Sequence, residues 1–452
     1  MPSTSGTTTV PAVSAPQQTT NYRAMAMLTT LFFMWGFVTC LNDILIPHLK
    51  GIFDLNYTKV MLVQFAFFTA YFVFSFPSGK FIDFFGYKRA MVAGLVTMAI
   101  GAAMFVPAAS APSYPLFLTS LIILAAGMTI LQTSANPYVA VLGPPRTASS
   151  RLNLTQAFNS LGTFLAPFFG SALILAAVAL PPGTVQRTVA QAGNKVEMHD
   201  FSHVATADLH AYRLAQSATV KAPYLGIAAV LVLLAVIIGF FKLPKIEAVE
   251  PHGEVHDSIW HYRHLILGAV GIFVYVGAEV AIGSFLVNYF EQPEIGNMPE
   301  AAAAKMLVFY WGGAMAGRLL GSALLQKINT GTLLAFNALV ASCLVGVSMS
   351  LNGHTAMWAI LAVGLFNSIM FPSIFTLGVD GLGPLTGDGS ALLIAAIVGG
   401  AIIPELQGLL ADRIGIHHAF ILPVICYLYI AYYGFRGSRH SPASTSVTER
   451  TS

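Results

Sequence analysis

The sequence predicts an all-α membrane protein, with twelve transmembrane helices in two pseudo-symmetric six-helix bundles. Three observations predict it. Of 452 residues only 22 are Lys or Arg and 19 Asp or Glu, 9% charged in all, where a soluble domain of this length would carry roughly 110 charges. Hydrophobic residues make up 56% of the chain and the mean hydropathy is +0.72. At about 20 residues per span, twelve spans take roughly 240 residues and leave room for loops and two tails. This composition excludes disorder and argues against a water-soluble enzyme.

Taken in order, residues 1–23 are rich in Ser, Thr, Pro and Gln and read as a disordered tail, without the basic start of a cleavable leader. Apolar segments follow at about 24–49, 60–82, 90–110, 114–140, 153–180, 223–243, 264–290, 303–326, 331–351, 355–379, 389–411 and 418–435. Each is too long and too continuously apolar for a barrel strand. The expected organisation is an N-terminal bundle at 24–243 with a long outer loop at about 181–222, a linker at 244–263, a C-terminal bundle at 264–436 and a tail at 437–452. With the N-terminus inside, Arg23, Lys80, Lys88, Arg89, Arg146, Arg151, Lys242, Lys245, Arg263, Arg318, Lys327, Arg436, Arg439 and Arg450 fall on the inner side. That is fourteen of the 22 basic residues, so both termini are expected in the cytoplasm of a cell whose inner membrane holds the chain.

The two halves repeat one another weakly. Gly36 and Asp43 are spaced like Gly277 and Ser284, and Gly162 and Pro167 like Gly399 and Pro404. Such a near-constant offset predicts a duplicated unit with a binding site at the repeat interface near the bilayer midplane. Cys40, Cys343 and Cys426 stand far apart in apolar runs and read as small hydrophobes. His252, His256, His261 and His264 lie in or beside the linker and read as solvated residues, so no metal or other cofactor is expected. No basic cluster with interleaved aromatics exists, which excludes nucleic acid as a partner; the bilayer is the expected surrounding, and the chain is expected to act as a monomer.

Between spans two and three runs GKFIDFFGYKR. Gly79 and Gly86 permit close helix contact and a tight turn, Asp83 can approach a neighbouring helix N-terminus, and Lys88 and Arg89 anchor at the inner surface. Its spacing resembles the signature loop of the major facilitator superfamily, and GLLADRIG at 408–415 is a second version. Asp43 in span one, within WGFVTCLNDILIPHLK, and Glu279 in span seven, within YVGAEVAIGSFLVNYF, are carboxylates inside apolar helices. Such groups face a water-filled path and work there; a change in hydration on one side or the other would load and unload a proton. Glu405 and Asp380 are weaker candidates, the latter at a solvated helix end, and Arg318 reads as a packing and loop-anchoring residue.

Amides are many for membrane helices. Gln132 and Asn136 share a face of span four; Asn153, Gln156 and Asn159 run along span five; Asn42, Gln64, Asn288 and Asn367 stand in spans one, two, seven and ten. Each offers donor and acceptor groups suited to a polar, uncharged, hydroxyl-rich ligand, and each also serves as interhelical glue. Trp35, Tyr71, Tyr275, Tyr310 and Trp311 supply aromatic faces that pack a core or a sugar ring.

With span one, the loop, LQTSANPYVAVLG, RLNLTQAFNSLG and span seven together, residues 24–436 resemble the sugar/proton symporter family that includes the L-fucose/proton symporter, nearest its bacterial glucose/galactose transporter branch. The resemblance implies a transporter, not an enzyme, that carries a neutral sugar by alternating access. It also implies a proton-coupling Asp in span one, matched by Asp43, and a coupling Glu in span four, where this chain has Gln132. Gln132 cannot titrate, so Glu279 is the expected second carboxylate unless Asp43 acts alone. Sodium is the rival coupling ion, held by Asp43 beside Asn42. An exporter of the same fold would show an apolar cavity without the amides.

Overall fold

The computed structural model describes residues 19–53, 57–173, 178, 180–191, 194–200, 204–244 and 258–439. The expected tails lie almost wholly outside these residues, as do His252 and His256. The first half holds α1 (Tyr22–Phe53), α2 (Tyr57–Ser110), α3 (Tyr114–Val141), α4 (Ala148–Leu173), α5 (Thr206–Ala218) and α6 (Lys221–Phe240). The second holds α7 (Arg263–Glu291), α8 (Glu300–Leu324), α9 (Thr330–Ser350), α10 (Gly353–Asn367), α11 (Met370–Val379), α12 (Thr386–Ala395), α13 (Gly399–Ile414), α14 (Ile416–Ala419) and α15 (Ile421–Tyr432).

Among the described residues nine segments are long and apolar enough to cross a membrane, against the twelve expected. Spans two and three run together as α2, broken only where Gly86 takes φ 76° and ψ 164°, a region open to glycine. In addition α8 carries Lys305 and Arg318 within its apolar run, and most of the apolar sequence that follows Leu173 of α4 lies outside the described residues. The expected outer loop at 181–222 is corrected as well: it folds as an antiparallel hairpin, β1 (Val185–Gln191) on β2 (Asn194–Asp200) with Val185 opposite Asp200, followed by α5. Ser217 of α5 donates to the Ala109 carbonyl of α2 at 3.0 Å. The Val and Thr residues of 185–189 favour such an extended strand.

The repeat read from glycine spacing has a structural counterpart. A Cβ on Gly36 of α1 would overlap the Asn159 carbonyl of α4, and one on Gly162 of α4 would overlap the Phe33 carbonyl of α1. In the second half a Cβ on Gly277 of α7 would meet the Ile403 side chain of α13, and one on Gly399 of α13 the Phe273 carbonyl of α7. Each half thus has a crossing at this repeated position built on a reciprocal glycine pair, since without a hydrophobic driving force in lipid close backbone approach supplies the packing. Gly162→Val is expected to lower stability by about 1–3 kcal/mol or more, the cost of overpacking. Thermal unfolding in detergent checks this, with Gly226→Val, where a Cβ meets nothing within 4 Å, as the unaffected control.

The halves are closed on each other at the end that holds the Gly79–Arg89 loop. Ser149 and Thr376 hydroxyls lie 2.6 Å apart, Thr330 donates to Ser149 at 3.0 Å, and Ser150 donates to the Ser322 carbonyl at 2.6 Å. Beside them Gly79 packs near Ala391 and Gly387 of α12, and a Cβ on Gly387 would lie 2.7 Å from Asp83 Oδ1.

Candidate functional site

Tyr275 and Glu279 stand one turn apart on α7, so their side chains share a face. The Tyr275 hydroxyl donates to Glu279 Oε1 at 2.9 Å. From α8, Arg318 places Nη2 3.8 Å from the same oxygen, an ion-pair distance, with side chains 13% (Arg318) and 15% (Glu279) exposed. Two local features bring the guanidinium there. Gly317 and Gly321 let α8 lie against Leu365, Ser368 and Ile369, where any side chain would clash. Pro372 lacks an N–H, and its ring excludes a helical bond to the residue four before it, Ser368. The helix breaks between α10 and α11, and the freed Ser368 carbonyl accepts from Arg318 Nε at 3.3 Å.

Arg318 also crosses to the first half. Its Nη1 donates to the Ser160 hydroxyl of α4, and its own carbonyl accepts from Asn153 Nδ2 at 2.6 Å. Arg318, read as a packing and loop-anchoring residue, is therefore corrected to a partly buried residue that joins α7, α8, the α10–α11 break and α4. Behind it Asn367 donates to Tyr310 at 3.0 Å and accepts from Tyr427 at 3.1 Å, and both phenols lie within electrostatic reach of Glu279.

On the first half's side, Gln132 donates to the Tyr71 hydroxyl at 2.6 Å. Gln132 Oε1, both polar atoms of Asn136, Asn153 Oδ1 and Gln156 Nε2 are buried without a hydrogen-bond partner. Each such atom costs about 1–3 kcal/mol, which calls for a ligand, a water or a second conformation to pay for it.

The predicted residues thus divide. Glu279, Tyr275 and Asn153 come together around Arg318, and Gln156 shares the face of α4 that carries Asn153 and Ser160. Gln132 and Asn136 share the buried face of α3. Asn159 is glue: its Nδ2 donates to the Phe32 carbonyl of α1 at 3.1 Å. Asn367 has both amide groups committed to tyrosines, while Asn288 and Glu405 are exposed, the former toward the far end of α7. The side chains of Asn42, Asp43 and Gln64 lie outside the described residues. Of the aromatic candidates, Tyr71, Tyr275 and Tyr310 are buried and Trp311 is 40% exposed. In the loop, Gly79 and Asp83 face the other half and Gly86 makes the turn. Lys88 instead donates to the Gly239 carbonyl at the end of α6 at 2.8 Å, within its own half, a favourable place for a cation; Arg89 is exposed.

Sequence reasoning missed Ser160, Ser368 and Tyr427, as well as Gln407 of α13, fully buried with both amide atoms unpaired. It also missed Arg151 as a helix cap: its guanidinium donates to the Val139, Ala140 and Pro144 carbonyls at the end of α3. Burial lowers its pKa to about 10, which leaves it charged at neutral pH. The proline four residues after Ser368 and the glycines around Arg318 were the legible signals. His264 is buried with Nε2 2.9 Å from the Asp380 carbonyl, and the described residues hold no group of three or more potential metal ligands.

The chain has known relatives. Residues 26–182 match the family model of the Major Facilitator Superfamily. A glucose/galactose transporter of Brucella abortus is 52% identical over 418 residues, 92% of this chain and 94% of that protein. A putative glucose/galactose transporter of Helicobacter pylori is 43% identical over 95% of this chain and all of its own length. Among solved structures, the Escherichia coli fucose:proton symporter FucP superposes with TM-score 0.81 at 32% identity, covering 91% of this chain and 98% of that one; a FucP structure in the outward conformation gives the same score at 33% identity, covering 91% and 97%. These relatives are transporters rather than enzymes, as expected. By this similarity over nearly its whole length, the chain belongs to the major facilitator superfamily, among the multi-span membrane transporters related to the glucose/galactose transporters and the fucose:proton symporter.

Proposed function

We propose that this protein imports a neutral hexose, glucose or galactose, together with protons by alternating access. The observation that carries the reading is the set of buried amide atoms without partners on α3 and α4, Gln156 foremost, on the helix face that meets the Glu279–Arg318 pair. An uncharged polyol can satisfy donors and acceptors of this kind without bringing a charge into the bilayer. The names of the relatives at 52% and 43% identity support the hexose, and that of FucP supports proton coupling.

In this reading the chain acts as a monomer in the bacterial inner membrane, with both termini cytoplasmic, and divides into halves at the linker 244–263. The closed end, which carries the Gly79–Arg89 loop, is then cytoplasmic, and the conformation faces outward. Asp43 and Glu279 are the coupling carboxylates; sugar and proton binding together bias the halves toward the inward-facing state. Gln132, in place of a carboxylate, contributes an amide to the sugar, and Asp83 with Gly79 acts at the inner gate.

Uptake of labelled glucose, galactose, fucose and N-acetylglucosamine into vesicles with an imposed pH or sodium gradient tests this. Glucose or galactose should accumulate under an inward proton gradient at zero sodium. Accumulation that follows sodium at fixed pH would instead assign sodium as the coupling ion, and an outward-directed flux of apolar solutes would assign an exporter.

A further inference from the structure

We infer that Arg318 is the counter-charge that links the protonation of Glu279 to the opening of the seam between α4 and α8; this rests on Glu279 being a proton site. Three observations carry it. Arg318 lies 3.8 Å from Glu279 across α7 and α8. It reaches Ser160 and Asn153 on the opposite half, so any motion that parts α4 from α8 must change its surroundings. And among the described residues no second acid is ion-paired with it.

Among the described residues the groups facing the pair are few. Tyr275 comes from α7 itself, Tyr310 from α8 and Tyr427 from α15. Ser368 and Asn367 come from the α10–α11 break, and Ser160 and Asn153 from α4. From α13, Ile403 and Gly399 pack on Gly277. Apart from the phenols all of these are neutral and do not titrate, so among the described residues it is the charge state of Glu279 that decides whether the guanidinium is balanced.

With Glu279 ionised, the charge of Arg318 is matched inside the protein and the seam is stable shut. With Glu279 protonated, the cation is left on the neutral oxygens of Ser160 and Ser368. A buried charge without a counter-ion is unfavourable, and the water that relieves it enters when α4 and α8 part. Protonation therefore favours opening at the closed end. Once there, the hydrated pair reforms: the proton leaves Glu279 for water on that side, the carboxylate takes Arg318 again, and the seam can shut for the return. No bond other than the O–H of Glu279 forms or breaks.

The test reconstitutes wild type, Arg318→Gln, Arg318→Lys, Glu279→Gln and the double variant Glu279→Gln/Arg318→Gln in proteoliposomes. Accumulation of labelled galactose and its counterflow are measured from pH 5 to 10. If the loaded carrier needs protonated Glu279, counterflow falls at alkaline pH as that proton is lost. Without the cation the carboxyl keeps its proton longer, so in Arg318→Gln this alkaline limb should move up by about one pH unit or more, as expected for loss of an opposite charge within about 4–6 Å. Accumulation should fall at least about tenfold, because the missing cation no longer drives proton release. Arg318→Lys keeps the charge without the planar fork that spans Glu279 and Ser160, and its limb should lie between the two. The double variant should match Glu279→Gln in both readouts.

An unmoved alkaline limb in folded Arg318→Gln, or a double variant worse than Glu279→Gln alone by the product of the single losses, overturns the inference. If Arg318→Gln does not fold, Arg318→Lys decides by the same limb. Full accumulation by Glu279→Gln would remove the reading beneath. Loss of accumulation in Glu279→Gln with wild-type profiles in both Arg318 variants would remove only the inference.

Discussion

Glu279→Gln is expected to abolish concentrative uptake while leaving exchange of sugar across the membrane. Glutamine has the shape of the protonated acid and can still accept the Tyr275 hydroxyl, held at 2.9 Å in the native protein, so the helices keep their contacts. It cannot release a proton, and the two half-cycles are no longer tied to the pH gradient. Each unit of pH difference is worth about 1.4 kcal/mol, or tenfold accumulation per proton carried. A wild-type gradient of one unit thus gives roughly tenfold accumulation by that same arithmetic, and the variant should equilibrate at a ratio near one. Undiminished accumulation by Glu279→Gln would leave Asp43 to act alone.

Gln156→Leu should separate binding from stability. Its Nε2 is buried with no partner, so removing the amide takes away an unsatisfied group and should leave the thermal midpoint unchanged or higher. If that amide binds the sugar, the variant loses about 1–3 kcal/mol of interaction, and half-saturation should rise roughly five- to 150-fold. Asn159→Leu gives the opposite pattern, since Nδ2 of Asn159 ties α4 to the Phe32 carbonyl of α1: stability falls. A lower midpoint in Gln156→Leu with unchanged half-saturation would make Gln156 glue as well.

Much of the architecture was legible because a membrane permits so few solutions. Apolar runs of span length mark the helices, and the spacing of Gly36, Gly162, Gly277 and Gly399 marks two matching crossings, since only glycine allows backbones to approach so closely. What escaped were relations set by tertiary contact. Arg318 stands six residues before the end of α8 and looks, in sequence, like a surface anchor; its place beside Glu279 depends on a carbonyl freed 50 residues later by Pro372. The amides looked alike, yet Asn159 and Asn367 are held by helix and tyrosine partners while Gln156 Nε2 and both polar atoms of Asn136 have none. Lys88 and Asp83 share one loop motif, but one caps a helix of its own half and the other faces α12. The hairpin at 185–200 was hidden because a long polar loop carries no apolar run to announce it.

Coupled movement of sugar and protons is the step on which the proposed function turns. Its most direct measurement is the pH of a weakly buffered suspension of de-energised cells or proteoliposomes when glucose or galactose is added. Wild type should alkalinise the medium as sugar enters, in the absence of sodium, and Glu279→Gln should not. Sugar entry by wild type with no change in external pH would contradict the claim.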